Sequence, residues 1–172
     1  MANGIFWSIG VMAFLMAYSI GANDAANALG TSYGSNAARL WILLTIGAVC
    51  EFVGAVFCSS YIAGTLVDEM LPAITTEPDD VASRMMLGVS IAAFSFILVA
   101  SIFGAPISGT HTVIGALIGA GLAGLPANTI NWEKFGFTIL SWFISPIIAS
   151  FLAFLLFVAI CACSLGGLVR GQ

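Results

Sequence analysis

The chain contains apolar runs that are too long and too free of charge for a water-soluble fold. The longest, residues 135–165, extends over 31 residues without a charged side chain, and Met85 to Phe103 form a second uncharged run. A bilayer crossing needs about 20 predominantly apolar residues. Hydrophobic residues make up 60% of the chain and charged residues only 7%, which leaves too little polar surface for a soluble domain. These runs predict an integral, multi-pass membrane protein.

Five apolar segments predict an all-α polytopic fold that includes broken or re-entrant helices. They lie at about residues 5–20, 40–62, 85–103, 106–125 and 135–165. We expect them to form a single transmembrane domain over residues 1–172, with a polar, acidic connection at about residues 68–84.

Three of these segments contain irregular features. We expect the first to break in the glycine, alanine and asparagine stretch from Gly21 to Gly30. The fourth is glycine-rich, and its sequence is compatible with a full span, a half-helix or a re-entrant hairpin. The fifth is too long for one upright helix, and Pro146 is available to kink it.

Charge and cysteine content exclude several function classes. The net charge is -4 and most acidic residues lie in the 68–84 connection, so no basic surface is available for nucleic acid. The four cysteines have no metal-ligand spacing and lie inside apolar segments. We therefore expect no cofactor and no metal other than bound sodium. The cysteines are Cys50, Cys58, Cys161 and Cys163.

The stretch GANDAANALG places Asn23, Asp24 and Asn27 at the end of a membrane-length apolar run. An ionised carboxylate in hydrocarbon costs on the order of 3 kcal/mol, so it usually faces a cavity, a partner or an ion. The carboxylate and the two amides suit a monovalent cation beside an oxyanion. The alternative is that the asparagines cap a broken helix and that Asp24 is a paired structural charge.

A second polar group follows Pro106 in the sequence PISGTH. A proline near a helix start, followed by Ser-Gly-Thr, leaves backbone N–H groups available for an anion. No Lys or Arg lies within the apolar segments, so an anion held there would need a co-bound cation. The alternative is hydroxyl bonding between helices. His111 is either a hydrogen-bonded structural histidine or a proton relay.

Glu51 lies in the middle of the second apolar segment. It could coordinate a cation, carry a proton, or pair with hydroxyl groups around Ser59 and Ser60.

Three stretches, GANDAANALGTSYGS, CEFVGA and PISGTHTVIGALIGAGL, occur in this order. They closely resemble the N-terminal repeat of the inorganic phosphate transporter (PiT) family of sodium- or proton-coupled phosphate symporters. The resemblance implies a pair of inverted-topology repeats with phosphate and cations bound between them. It implies phosphate binding by Asn23, Asn27, Ser108, Gly109, Thr110 and Thr112. It implies cation binding or coupling by Asp24, Asn27, Glu51 and Thr110.

The chain carries one copy of each motif. We therefore expect half of a cation-coupled phosphate symporter, with the second repeat on another chain. A separate chain is preferred to a homodimer, whose copies would need opposite insertion. The expected partners are inorganic phosphate, sodium or a proton, and membrane lipid.

Two other functions compete with transport. One is a non-transporting structural subunit of a larger membrane complex. The other is an intramembrane hydrolase, because residues 30–34 match G-x-S-x-G. That motif needs a strand-turn-helix context and a catalytic base. His111, the single histidine of the sequence, would have to be that base. We expect that the chain is not an enzyme.

Overall fold

A computed structural model describes the backbone of residues 2–170, and the side chains of residues 4–61, 64 and 66–162. Over this part of the chain every regular element is helical, which confirms the predicted all-α fold. The long helices are α1 (Ala2–Gly34), α2 (Leu40–Met70), α3 (Asp79–Ile102), α4 (Gly109–Gly124) and α5 (Trp132–Arg170), with short 3-10 turns at Pro72–Thr76 and Ala127–Thr129.

Four of the helices, α1, α2, α3 and α5, are long and apolar enough to cross a membrane. Helix α4 is shorter, with 16 residues. At 1.5 Å per residue it extends over about 24 Å, less than the roughly 30 Å of a hydrocarbon core. An upright full span is therefore disfavoured for this segment, and the half-helix and re-entrant alternatives remain.

The predicted break in the first segment is wrong, because α1 runs without interruption from Ala2 through the whole Gly21–Gly30 stretch to Gly34. Four alanines in this stretch are the strongest helix formers. A glycine costs a helix interior only about 1 kcal/mol. Breaking the helix would instead leave several backbone groups without partners in an apolar surrounding, at several kcal/mol each.

Two helices end in a Schellman motif, in which a left-handed residue closes the last turn. After α1, Asn36 has φ 57°, and the Ala37 N–H donates to the Ser32 carbonyl at 3.1 Å. After α3, Gly104 has φ 65°, and the Ala105 N–H donates to the Ala100 carbonyl at 2.9 Å. Both motifs satisfy helix-end carbonyls and turn the chain sharply.

Helices α2 and α3 extend into the acidic connection predicted at about residues 68–84. Helix α2 continues to Met70 and α3 already begins at Asp79. Asp79 and Asp80 occupy the first turn of α3, where negative charge complements the helix dipole. Arg84 lies 3.7 Å from Asp80 in an exposed pair, and such pairs add little stability.

The apolar core lies where α4 packs against α3 and the segment after α2. Leu71, Ile97 and Ile114 are the largest fully buried side chains. Gly121 permits this packing, because a Cβ there would lie 3.0 Å from Leu71 Cδ1. The Asn131 N–H donates to the Met70 carbonyl at 3.0 Å, which ties the residue before α5 to the end of α2.

Backbone contacts divide the chain into two units, with Asn131 ending the first and Trp132 beginning the second. The second unit is α5, a helix of 39 residues with Pro146 inside it. Its side chains from Phe143 to Ile160 are largely exposed and apolar, as expected for a helix surrounded by lipid or by other membrane helices.

Candidate functional site

Asn23 of α1 is buried, with 8% of its surface exposed. Its side-chain nitrogen donates to Ser101 Oγ at 3.2 Å and to the Ala105 carbonyl at 3.3 Å. Its side-chain oxygen accepts from the Ile107 N–H at 3.2 Å. One side chain on α1 therefore holds the end of α3 and the linker that leads into α4.

Asp24, the next residue, lies beside the first turn of α4. A Cβ built on Gly109 would be 3.4 Å from Asp24 Oδ2 and 3.0 Å from Ile20 Cγ2. Gly109 is buried and is the first residue of α4. Glycine therefore allows the helix start, with its N–H groups and positive dipole end, to approach a carboxylate closely.

The three hydroxyl groups of the PISGTHT segment, residues 106–112, have different roles. Ser108 is the N-cap of α4, and its Oγ accepts from the His111 N–H at 3.3 Å. Thr112 Oγ1 donates to the Ser108 carbonyl at 3.0 Å, so its hydrogen is used within the helix. Thr110 is exposed and carries its hydroxyl in the first turn. Of the three, Thr110 is best placed to donate to a ligand.

Glu51 of α2 approaches the same stretch of α1. Its Oε2 atom lies 3.9 Å from the position that a Cβ on Gly21 would occupy. Gly21 and Asp24 are three residues apart, so they lie on neighbouring positions of one helical face. The structure thus brings the two membrane carboxylates of the sequence prediction to the same part of α1.

Asn27 lines a different cavity from Ser108 and Thr112. A cavity of about 150 Å³ is lined by Ala22, Asn23, Ala26, Asn27, Ser101, Gly104, Ala105 and Pro106. A larger groove of about 670 Å³, between α3 and α4, is lined by Ala92, Phe96, Ile107, Ser108, His111, Thr112, Gly115 and Ala116. Of the predicted phosphate-binding residues, Asn23 and Asn27 therefore line the smaller cavity, and Ser108 and Thr112 line the groove.

Three partners of Asn23 were not identified from the sequence. The Ala105 carbonyl and the Ile107 N–H are backbone groups, which leave no signal in residue identity. Ser101 is the last polar residue of α3 before the linker. This position is the one feature of the sequence that could have indicated Ser101 as a partner of Asn23.

The hydrolase motif has the wrong structural context. Residues 30–34 lie in the last turns of α1, whereas a nucleophile elbow requires a strand followed by a turn and a helix.

The model of the phosphate transporter family matches residues 20–166. The chain belongs to this family. The predicted resemblance is confirmed, and the chain is an integral, multi-pass membrane protein of a transporter family rather than an enzyme family.

Two relatives and one solved structure illustrate the similarity to the phosphate transporter family. The inorganic phosphate transporter 2-1, chloroplastic, of Arabidopsis thaliana is 37% identical over 145 residues, which are 84% of this chain and 25% of the relative. The sodium-dependent phosphate transporter of Toxoplasma gondii is 34% identical over 142 residues, covering 82% of this chain and 16% of the relative. A solved structure of a sodium-dependent phosphate transporter superposes with a TM-score of 0.84 at 35% identity, over 91% of this chain and 39% of that one.

The chain spans well under half the length of these relatives. The same holds for a relative in Haemophilus influenzae, which is 35% identical over 159 residues. These residues make up 37% of that relative.

Proposed function

We propose that the chain supplies one half of a cation-coupled phosphate transport site. In this proposal phosphate binds at the first turn of α4, and a cation lies between the phosphate and Asp24. The observation that carries the proposal is the position of the Asp24 carboxylate beside Gly109, at the start of α4.

The first turn of α4 favours an anion. A helix start leaves backbone N–H groups without intrahelical partners, and the dipole adds positive potential. Ser108 accepts from the His111 N–H, so the N–H groups of Gly109 and Thr110 and the Thr110 hydroxyl are the donors assigned to phosphate.

Asp24 makes binding of phosphate alone unfavourable. Two negative charges roughly 5 Å apart repel by about 3 kcal/mol at an effective dielectric constant of 20. A cation between them replaces this repulsion with two attractions. Helices α1 and α4 contain no Lys or Arg, so no fixed positive charge on either helix takes that role, and phosphate and cation binding become thermodynamically linked.

Glu51 provides a second carboxylate near α1 and is assigned to cation binding or coupling, with Asn27 as a neutral oxygen ligand. The similarity of the chain to two sodium-dependent phosphate transporters favours sodium over a proton as the coupling ion.

A complementary repeat completes the site. Thr110, Asn27 and Glu51 are exposed on this chain, so a second repeat can contact the groups assigned to phosphate and to the cation. Phosphate also has more acceptor oxygens than the donors of the first turn of α4 serve. We assign the complementary repeat to a second chain, and a separate chain requires no dual membrane orientation. Membrane lipid covers the remaining exposed apolar surface.

The test is phosphate binding to the assembled transporter, measured by calorimetry across sodium concentrations and pH. Phosphate affinity should rise with the concentration of the coupling cation, and phosphate should tighten cation binding by the same factor. Phosphate affinity that is independent of both sodium and pH would refute the proposal. Mass spectrometry of co-purifying chains identifies the partner.

A further inference from the structure

The side chain of Asn23 uses both of its donors and its oxygen in hydrogen bonds within the protein. A primary amide has two N–H donors and two acceptor lone pairs. The donors go to Ser101 Oγ and the Ala105 carbonyl. The oxygen accepts from the Ile107 N–H, and from Asn27 Nδ2 at 3.5 Å. Asn23 is therefore occupied by the protein itself and does not fit the role of phosphate ligand implied by the family resemblance.

The partners of Asn23 belong to an irregular segment that must be stabilised inside a membrane protein. Residues 105–108 lie between the Schellman turn of α3 and the start of α4 and have no regular secondary structure. Backbone groups in such a segment are costly in apolar surroundings unless other groups bond them. Asn23 bonds a carbonyl and an N–H of this segment with a single side chain.

We propose that Asn23 is a positioning residue that fixes the linker 103–108 to α1, and so sets the distance between Asp24 and the first turn of α4. Asn23 and Asp24 are adjacent on a rigid helix, and Ile107 precedes Gly109 by two residues. Holding Ile107 against Asn23 therefore holds Gly109 against Asp24. The proposed consequence for phosphate rests on the proposed function, whereas the consequence for the linker does not.

Hydrogen exchange measures the linker directly. In the assembled transporter, peptides that contain Ile107 should exchange roughly tenfold faster in Asn23→Ala, because the acceptor of its N–H is lost. Asn27→Ala is the matched control, since it removes a neighbouring asparagine amide that donates to Asn23 and, among the described residues, makes no hydrogen bond to the linker. Its linker should exchange as in the wild type. Equal exchange in Asn23→Ala and wild type would overturn the proposal.

Phosphate binding then separates positioning from direct contact. Ser101→Ala removes one hydrogen-bond partner of Asn23 and leaves Asn23 in place. Its effect on phosphate binding therefore tests the proposal even if Asn23→Ala fails to fold. We expect Ser101→Ala to weaken phosphate binding roughly three- to tenfold in the wild type and to have no further effect in Asn23→Ala. A full Ser101→Ala effect in the Asn23→Ala background would contradict the proposal.

Two further outcomes are decisive. Weaker phosphate binding in Asn23→Ala with unchanged exchange at Ile107 would make Asn23 a direct ligand. If the wild-type transporter does not bind phosphate at all, the proposed function fails, and the exchange measurement still decides whether Asn23 fixes the linker.

Discussion

Gly109→Ala tests the close approach of α4 to Asp24. The added Cβ would lie 3.0 Å from Ile20 Cγ2 and 3.4 Å from Asp24 Oδ2, whereas optimal carbon–carbon separations are about 3.5 to 4.0 Å. The first turn of α4 must therefore move away from α1 by roughly 0.5 to 1 Å, or Ile20 must leave its rotamer.

The expected energy follows from two opposing terms. Overpacking of this kind costs about 1 to 3 kcal/mol. Alanine is better than glycine inside a helix by up to about 1 kcal/mol, so the net loss of stability lies between about 0 and 3 kcal/mol, and we expect the variant to assemble. In the phosphate-free variant, α4 can relieve the overpacking by moving away from α1. If α4 must return to α1 for phosphate to bind, the overpacking energy opposes phosphate binding. Phosphate affinity should then fall about five- to 150-fold.

The assay is calorimetric phosphate binding at saturating and at low sodium. Gly119→Ala is the matched control, because it lies on the same helix and a Cβ there would meet nothing within 4 Å. Wild-type phosphate affinity and sodium dependence in Gly109→Ala would refute the idea that the spacing between Asp24 and α4 matters. An equal loss of phosphate affinity in Gly119→Ala would show that any added methyl group on α4 weakens binding, and that the contact with Asp24 is not the cause.

Asp24→Asn keeps size and hydrogen bonding but removes the charge, so the variant should assemble with little or no coupled phosphate uptake; wild-type uptake with the same cation dependence would exclude Asp24 as a coupling residue. Thr110→Val should weaken phosphate binding about ten- to 150-fold, because it deletes a hydrogen bond to a charged ligand. Thr112→Val should cause a smaller loss, since the Thr112 hydroxyl already donates to Ser108, and equal losses in calorimetry would contradict these assignments. Residues 1–172 expressed alone should not transport phosphate in liposomes, whereas co-expression with a complementary repeat should restore uptake; robust uptake by a demonstrated monomer would reject the need for that repeat.

The sequence was sufficient to predict the helical membrane fold, because long uncharged runs admit few other structures. It was not sufficient to predict the path of α1 through Gly21–Gly30. Glycine and asparagine are compatible with both a helix and a break, and the outcome depends on the neighbouring helices. The helical ends of the acidic connection were missed for a related reason, since Asp79 and Asp80 are polar residues that also suit a first helical turn.

Within the candidate site, residue chemistry was predictable and residue geometry was not. Asp24 and Glu51 were identified as charges in an apolar context. Asp24 lies on α1, and the Glu51 side chain of α2 approaches the same helix at Gly21. Asn23 was assigned to phosphate by resemblance to a family motif, yet its contacts are with Ser101 and with backbone groups about 80 positions away. No local pattern in the sequence reports such long-range backbone partners.

In the proposed mechanism, the absence of Lys and Arg from α1 and α4 affects the direction of transport. An arginine would hold phosphate equally well on both sides of the membrane, and release would be slow on each. A dissociable cation removes its charge when it leaves, so in the proposed mechanism the site loses affinity for phosphate only where that cation is scarce. A tenfold sodium gradient is then worth about 1.4 kcal/mol per ion, and it acts at the release step, where a fixed charge would retain the product.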